Sequence, residues 1–425
     1  MEMMRCKGFE MLSVMLAVTF GLSGCLGVGR SPMAGVKENL DAGQGFGRRC
    51  CPADNTKENP KDQGRGACHM SQEAEKQAPK VPPVEKPFRW VDIRDLGVEG
   101  RGFEQTETFF ERLPASAKGV VSDGAWTASL QSVGLCVRFV TDAPNIAVRW
   151  TLKNPELALT HMPASSASGL DLYGRVDGAW RFVGLVRPQK FPDNEAMIAR
   201  SVIPVAREYK LNLPLHNAVA AVSIGVAGDY SLEKAPPYPE AKLKAIVFYG
   251  TSIMHGIGLS RPGMTYPAIL GRRLDWPVVN LGFSGSAKAE IEMARLLAQL
   301  DPAAYVLDPI PNLDNPELIH ERIGVFVRTL REAHPRTPII LVEHFTYPAA
   351  PFVAWMRDLV PATRQALGEV YQELKASGVQ DLYLVGGEAL YGADGEATVD
   401  GTHSSDLGAM RFADAFEPLL RVLLK

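Results

Sequence analysis

The C-terminal part of the chain, residues 239–425, alternates short apolar segments with helical patterns, and this alternation limits the folds open to it. The apolar segments are AIVFYG (245–250), PVVNLG (277–282), AYVLD (304–308), PIILVEHF (338–345) and DLYLV (381–385). Amphipathic patterns predict helices from about 264, near 287–299, near 316–334, near 354–376 and from about 407. Strands that alternate with helices form a parallel sheet covered on both faces. Because ligands of such sheets bind beyond the carboxyl ends of the strands, we expect a functional site at that edge.

Residues 86–238 have a different pattern, which is typical of β-strands. LCVRFVTDAPNIAVRW (135–150) alternates apolar and polar residues around a Pro-Asn turn, and YKLNLPLHNAVAAVSIGV (209–226) supplies two more candidate strands. Within 170–186, Asp177-Gly178 separates two such runs, which is a strong hairpin signal. Many short strands joined by turn residues predict a jelly-roll-like β-sandwich. The expected fold is therefore a β-sandwich domain (86–238) followed by an α/β domain (239–425).

Residues with possible catalytic roles follow several predicted strands and precede the last helix. Ser252 follows the first strand of the α/β region, Gly285 the second and Asn312 the third, while Asp400 and His403 precede the last helix. Each of these is common in turns and helix caps and means little alone. Their joint occurrence at successive strand ends favours a catalytic site, because a serine hydroxyl becomes a nucleophile only beside a base. An Asp three residues before a His lets one compact turn present both groups.

These residues lie in four short blocks in chain order: G-T-S-I (250–253), N-L-G-F-S-G (280–285), P-N (311–312) and D-G-T-H (400–403). Through them the chain resembles the SGNH (GDSL-type) hydrolase superfamily. It is similar in particular to the subgroup whose N-terminal domain carries a G-x-D-L-Y motif, which is Gly169–Tyr173 here. The resemblance covers roughly residues 86–425 and implies a flavodoxin-like three-layer hydrolase domain.

The resemblance also implies a role for each residue. Ser252 would be the nucleophile, His403 its base, and Asp400 the group that orients the imidazole. The oxyanion would be bound by the backbone N–H groups of Ser252 and Gly285 and by the side-chain amide of Asn312. The implied reaction is two-step acyl transfer through an acyl-Ser252 intermediate, and it needs no metal or cofactor.

Other polar residues near the strand ends have weaker claims. Ser284 fails the G-x-S-x-G nucleophile elbow because residue 286 is Ser. His255 could line the pocket or replace His403 as the base, and Arg261 could contact a substrate or anchor its loop. Structural roles are expected for Asp171, Tyr173, Glu343 and His344. The chain departs from the family pattern, with possible effects on pocket shape, at Thr251, Ser286, Pro309 and Ser404.

The N-terminus predicts export and membrane attachment. Basic Arg5 and Lys7 precede an apolar run (11–22) that is shorter than the roughly 20 residues of a transmembrane helix. The following L-S-G-C (22–25) resembles a bacterial lipobox, so Cys25 would carry the lipid anchor; a plain secretory signal or a membrane helix is the alternative. Residues 26–85 have the composition of a flexible tether. They hold Cys50, Cys51 and Cys68, for which a disulfide is favoured over a metal site.

The expected activity is that of a serine esterase of the cell envelope. A net charge of −3 and the lack of a long basic patch argue against a nucleic-acid partner. By analogy with other sandwich-plus-hydrolase architectures, the expected substrate is an O-acetyl group on a carbohydrate. A lipid or thioester hydrolase with the same triad, and a non-catalytic glycan-binding lipoprotein, remain as alternatives.

Overall fold

The computed structural model describes residues 87–425. The predictions made for the first part of the chain therefore lie outside the described residues. They concern the signal segment and lipobox at 1–25, the tether at 26–85, and Cys25, Cys50, Cys51 and Cys68.

Two antiparallel sheets form an N-terminal β-sandwich. Its strands are β1 (Phe88–Asp92), β2 (Val98–Glu99), β3 (Cys136–Thr141), β4 (Ile146–Leu152), β5 (Leu170–Val176), β6 (Ala179–Val186), β7 (Asp193–Ala199), β8 (Arg207–Asn212), β9 (Val219–Ala227) and β10 (Glu233–Lys234). One sheet has the order β1-β9-β4-β7, and the other has the order β10-β3-β8-β5-β6 with β2 beside β3. The predicted hairpin is confirmed, because β5 and β6 pair antiparallel around Asp177-Gly178. Both turn residues have positive φ angles (50° and 76°), as a type I′ turn requires.

A five-stranded parallel sheet forms the centre of the C-terminal region. Its strands are β11 (Ile246–Gly250), β12 (Val278–Gly282), β13 (Ala304–Asp308), β14 (Ile339–Val342) and β15 (Leu382–Val385). Their order, β12-β11-β13-β14-β15, is the flavodoxin-like order, and every neighbouring pair is parallel. The carboxyl ends of all these strands therefore lie along one edge.

Helices cover both faces of this sheet. In chain order the helices of the described residues are α1 (Ile93–Leu96), α2 (Asp123–Ser129), α3 (Ala164–Ala167), α4 (Ser252–His255), α5 (Tyr266–Leu274), α6 (Ile291–Leu297), α7 (Pro316–Ala333), α8 (Ala354–Ala376) and α9 (Asp406–Leu423). Alternate residues of β11 enter different cores: Ile246 and Phe248 pack with α5 and α9, whereas Val247 and Tyr249 pack with α6 and α7. The α/β prediction and its five helices are confirmed, although α6 is shorter than expected. None of the helices between residues 87 and 425 is long and apolar enough to span a bilayer.

The segment between β2 and β3 packs on the α/β domain. Phe103, Leu113 and Ala125 of this segment are buried in the same apolar core as Leu281 and Phe283, at the β12 edge. Burial of a large apolar side chain of this kind stabilises the folded state by about 1.5–3 kcal/mol. The segment is called the interdomain arm below (residues 103–128).

A buried arginine fixes the arm to the sheet. The Arg112 guanidinium is 1% exposed and donates to the carbonyl oxygens of Asn280 (3.1 Å) and Gly282 (2.8 Å) in β12. It also donates to the carbonyls of Ala128 and Gln131 in the N-terminal region. Burial lowers the pKa of Arg112 to about 9, so the group stays charged at neutral pH. Arg112 thus holds the carboxyl end of β12, from which the Gly285 loop begins.

The G-x-D-L-Y motif makes a second interdomain contact. Asp171 of β5 is fully buried and accepts hydrogen bonds from Asn212 Nδ2 (2.7 Å) and from the backbone N–H of Gly263 (2.8 Å). Arg261 lies beside it, with Nε 3.6 Å from Asp171 Oδ2, and its Nη2 donates to the Tyr173 hydroxyl (3.3 Å). Asp171 and Tyr173 therefore connect the sandwich to the loop that follows α4, in the interdomain role expected for them.

Candidate active site

Ser252 is the first residue of α4, directly beyond the carboxyl end of β11. Gly250, at the end of that strand, lies so close to β13 that a Cβ there would be 2.9 Å from the Asp308 carbonyl oxygen. Gly256 ends the short helix in a left-handed conformation (φ 100°), which turns the chain back after one turn. Because Ser252 opens α4, its backbone N–H has no intrahelical carbonyl to which it could donate. The strand and the sharp turn thus expose both the hydroxyl and the N–H at the sheet edge.

The imidazole of His403 lies between Ser252 and Asp400. His403 Nε2 is 2.9 Å from Ser252 Oγ, and His403 Nδ1 is 2.7 Å from Asp400 Oδ2. These distances fit a neutral imidazole that donates from Nδ1 to Asp400 and accepts the Ser252 proton at Nε2. The structure therefore brings Ser252, Asp400 and His403 into one hydrogen-bonded line, although they come from the first and last loops of the domain.

A compact turn supports the carboxylate. Asp400 Oδ1 accepts the backbone N–H groups of Thr402 (2.9 Å) and His403 (2.7 Å). Partial burial opposes ionisation of Asp400, but the hydrogen bonds from the His403 ring and from these two backbone groups outweigh it. The pKa of Asp400 therefore lies below its usual range. Asp400 stays an anion at neutral pH and can orient the His403 ring.

Hydrogen-bond donors without partners follow the two strands that flank β11, the strand that leads to Ser252. Asn312 ends a short 3₁₀ turn after β13, and its Nδ2 is buried without a hydrogen-bond partner among residues 87–425. Gly285 follows β12 with a positive φ angle of 67°, and its N–H donates no hydrogen bond within the described part of the chain. A buried amide without a partner costs about 1–3 kcal/mol unless a ligand atom supplies one. These donors can bind an oxyanion.

The residues around these groups fit the loops together. A Cβ on Gly124 of α2 would lie 2.3 Å from Ser286 Oγ, so the interdomain arm packs directly against the Gly285 loop. Ser404 is buried and shares a 3.0 Å hydrogen bond with the Tyr391 hydroxyl, which also donates to the Thr402 carbonyl (2.8 Å). Two of the departures from the family pattern, Ser286 and Ser404, thus have packing partners.

His255, the alternative base, and His344 both have structural contacts. His255 is fully buried, its Nε2 lies 2.8 Å from the Leu215 carbonyl in the sandwich, and burial holds its pKa well below the usual range. His344 is also fully buried, with Nδ1 2.7 Å from the Phe345 carbonyl. Ser252 Oγ, in contrast, bonds to His403. The interpretation of His255 as the base is therefore wrong.

The remaining weaker candidates have structural contacts. Arg261 lies over the Phe182 ring (4.4 Å) and beside Asp171 and Tyr173, which favours the loop-anchoring alternative over substrate contact. Glu343 Oε2 accepts the backbone N–H of Gly387 (3.0 Å).

Two features of the site carry no clear signal in the sequence. His161, from the segment between β4 and α3, stacks against the His403 ring, with centroids 5.5 Å apart and 21° between the ring planes. Asp308, at the end of β13, is buried beneath the site and accepts a hydrogen bond from the Tyr266 hydroxyl (3.0 Å). Burial raises the pKa of Asp308 to about 8. Neither residue lies in a recognisable motif.

Donor atoms of His161, Asp400 and His403 lie within 4.8 Å of one another, a spacing that a metal ion could bridge. Both nitrogens of His403 are already paired, however. The donor set does not fit a tetrahedral metal site. The expectation of metal-independent chemistry stays a prediction.

A Ser–His–Asp line at the carboxyl edge of a flavodoxin-like sheet, with free donors beside the serine, defines the class of serine hydrolases. A sequence model of the GDSL-like lipase/acylhydrolase family matches residues 243–421, and a model of the N-terminus of SGNH-hydrolase-type esterases matches residues 88–232. A protein of Bacteroides ovatus described as a GDSL-like lipase is 33% identical in sequence. Its crystal structure matches with a TM-score of 0.74, over 80% of this chain and 98% of that one. The chain belongs to the GDSL-like lipase/acylhydrolase family and is a hydrolase.

More distant structures share the fold. A salicylyl-acyltransferase from a tetracycline biosynthetic pathway is 21% identical, with a TM-score of 0.65 over 79% of this chain and 97% of that one. A family two carbohydrate esterase from Clostridium thermocellum, in complex with cellohexaose, is 15% identical, with a TM-score of 0.51 over 68% and 92% of the two chains. No curated protein sequence matches the chain.

Proposed function

We propose that this hydrolase is a serine esterase that removes O-acetyl groups from a carbohydrate. Ser252 is its nucleophile, His403 its general base and acid, and Asp400 the residue that orients His403. The observation that carries this proposal is the hydrogen-bonded line from Asp400 through His403 to Ser252, beside the unpartnered Nδ2 of Asn312.

The reaction has two balanced steps. In the first, Ser252 Oγ attacks the carbonyl carbon of the ester while His403 Nε2 takes the hydroxyl proton. The N–H groups of Ser252 and Gly285 and the Asn312 amide bind the oxyanion of the tetrahedral intermediate. The C–O bond to the sugar breaks, and His403 returns its proton to the leaving oxygen. In the second step His403 takes a proton from water as the water oxygen attacks acyl-Ser252, and the bond to Ser252 Oγ breaks as His403 gives that proton to the serine. Acetic acid leaves and loses its remaining proton to solvent.

Two lines of reasoning favour a carbohydrate ester. Two structures of the same fold are described as family two carbohydrate esterases, with 15% and 13% sequence identity to this chain. In addition, two aromatic side chains in the segment that follows β14 face solvent: Phe352 and Trp355 are 89% and 56% exposed. Amphipathic aromatic side chains such as Trp are common in binding surfaces. Fold analogy alone is a weak warrant for a substrate, so the substrate class requires a direct test.

The test is acetate release from a panel of acetylated glycans, compared with short- and long-chain p-nitrophenyl esters and an acyl-thioester. We expect turnover of p-nitrophenyl acetate and of acetylated glycans, with little turnover of long acyl chains. A preference for long-chain esters or thioesters would replace the carbohydrate by a lipid or thioester substrate. Failure to hydrolyse any ester would contradict the esterase proposal and favour a glycan-binding role.

We also propose that Cys25 carries a lipid that anchors the enzyme to a membrane of the cell envelope. The proposal draws on the L-S-G-C sequence behind an apolar segment. Several acyl chains on one Cys would bind stably, because each buried CH₂ contributes about 0.8 kcal/mol. The Cys25→Ser variant should move from the membrane fraction to the soluble fraction, whereas Cys6→Ser, ahead of the apolar segment, should stay with the membrane. An unchanged distribution of Cys25→Ser would contradict the anchor.

A further inference from the structure

One histidine of the sandwich lies at the α/β active-site edge. His161 belongs to a tight turn closed by two backbone hydrogen bonds between Leu159 and Met162 (2.9 and 3.1 Å). Met162 is 1% exposed and is buried in the same apolar core as Ile253 and Met254 of α4. The turn is therefore anchored in the α/β domain, which brings the exposed side chain of His161 next to the site.

The contacts of His403 leave one degree of freedom open. Its two ring nitrogens bond to Asp400 and Ser252. These two hydrogen bonds only weakly resist a rotation of the ring about the axis through its nitrogens, and the side chain is 22% exposed. A group against the ring face is needed to restrict this rotation. His161 occupies that place, with its ring 21° from parallel and its centroid 5.5 Å away.

We propose that His161 is a positioning residue that holds the imidazole of His403 in line with Ser252 and Asp400. The sandwich then completes the active site rather than only bordering it. Offset stacking at centroid distances of 4.5–7 Å is a favourable arrangement of two aromatic rings. Small displacements of a catalytic group are costly, since a 1 Å misplacement can cost about 100-fold in rate. This inference rests on the proposed role of His403 as the base.

Two other roles for His161 fit the geometry less well. A metal ion held by His161, Asp400 and His403 would need a nitrogen of His403 as a ligand, and both nitrogens of His403 already bond to Asp400 and Ser252. As a second base it would need to contact the Ser252 hydroxyl, which bonds to His403. The face-to-face contact with His403 remains as the interaction that explains its position.

The experiment compares His161→Ala with His161→Phe, which keeps an aromatic ring but no ring nitrogen. The control is His320→Ala on α7, an exposed histidine paired with Glu369 (3.3 Å). Each full-length protein is assayed with p-nitrophenyl acetate, and the low-field proton resonance of His403 Nδ1–H is recorded and assigned by its loss in His403→Gln. We expect His161→Ala to lower kcat about tenfold with little change in KM, and to broaden the resonance through faster exchange with solvent. His161→Phe should restore most of kcat and a sharp resonance, and His320→Ala should match the wild type.

Three results would overturn the proposal. A wild-type kcat and a sharp resonance in His161→Ala would show that the stacked ring does not position His403. A His161→Phe variant as impaired as His161→Ala would assign the effect to a ring nitrogen instead of the ring face. A raised KM with unchanged kcat would make His161 a substrate contact. Because the resonance is measured without substrate, these results are distinguishable from failure of the proposed function, which would appear as a lack of turnover in the wild type.

Discussion

Arg112 and Asp171 at the domain interface differ from the hydrogen-bond donors at the strand ends in how they are paired. At the interface, Arg112 donates to four carbonyl oxygens, and Asp171 accepts from Asn212 and Gly263. At the strand ends, the buried Asn312 Nδ2 has no partner among the described residues, and the N–H of the exposed Gly285 donates no hydrogen bond there. Buried polar groups in folded proteins are nearly always hydrogen-bonded, so the exceptions call for an explanation.

The difference points to two roles: paired groups such as Arg112 and Asp171 hold the two domains together, whereas a free donor at the strand ends, such as Asn312 Nδ2, can bind a ligand. A fully paired group stabilises the fold only as long as its partner remains, because its removal leaves the partner unsatisfied. A buried donor without a partner lowers the stability of the free enzyme. It gains a hydrogen-bond acceptor when the substrate oxyanion binds. Substitutions in the two regions should therefore affect different measurements: turnover at the strand ends and unfolding at the interface.

The largest expected effect is at the nucleophile. Ser252→Ala removes the hydroxyl that His403 activates, so kcat/KM for p-nitrophenyl acetate should fall by about 10⁴-fold, while the thermal unfolding midpoint stays near that of the wild type. Ser284→Ala, in the Gly285 loop, is the matched serine control and should retain activity. Equal turnover by Ser252→Ala and the wild type would refute the catalytic assignment, and loss of activity in Ser284→Ala alone would transfer the role to Ser284.

Two asparagines that lie close together in the chain test the comparison most directly. Asn312→Ala should lower kcat by about 10²–10³-fold, or about 2.7–4 kcal/mol, because it removes one oxyanion donor. Asn315 instead caps α7, with its side chain accepting the N–H groups of Glu317 and Leu318. Asn315→Ala should cost about 1 kcal/mol of stability and leave kcat unchanged.

Steady-state kinetics and urea unfolding of both asparagine variants provide the measurement. If Asn312→Ala loses stability but keeps its kcat, its free Nδ2 is not an oxyanion donor, and the contrast between the two regions fails.

Much of this arrangement could be predicted from sequence because its signals are local. The runs that form β11 to β15 are apolar and bounded by turns, and Ser252, Gly285 and Asn312 follow their strands within a few residues, so topology alone gathers them at one edge. Their catalytic roles stay predictions until the variants are assayed. The Asp400–His403 turn is equally local, since its hydrogen bonds join residues two and three apart.

The long-range contacts could not be predicted in this way. His161 lies in a short turn without periodicity, and its contact with His403 depends on how two domains pack. The interdomain arm also has no pattern that assigns Phe103 or Leu113 to the α/β core, although both are buried there. The domain boundary at 238 stays a prediction, and the packing of residues 103–128 shows that chain order alone does not divide the two cores.

At the interface, Asp171→Ala should reduce the free energy of unfolding by about 2–3 kcal/mol, because it leaves the buried Asn212 amide and Gly263 N–H without an acceptor. Its effect on kcat should be smaller than that of Asn312→Ala. Asp171→Asn is the control that keeps the shape, and it should recover part of the loss through its carbonyl oxygen. Urea unfolding and kcat are measured on the same samples. A kcat loss larger than that of Asn312→Ala, with unchanged stability, would make Asp171 part of the catalytic machinery.

The smallest expected effect is on the pH dependence of stability, and it comes from the buried histidines. Burial lowers the pKa of His344 to about 4, whereas the unfolded chain titrates near its ordinary value of about 6.5. Below that value the unfolded state binds more protons, so the free energy of unfolding should fall as the pH drops from 6.5 toward 4, by about 1 kcal/mol between pH 7.5 and 5.5. His255, which is also held neutral by burial, adds to the decrease in the free energy of unfolding.

In His344→Gln the pH dependence of urea unfolding should flatten over this range, whereas in the exposed control His320→Gln it should keep the wild-type slope. An unchanged slope in His344→Gln would contradict the prediction, because it would mean that the buried His344 imidazole does not lose its proton on folding.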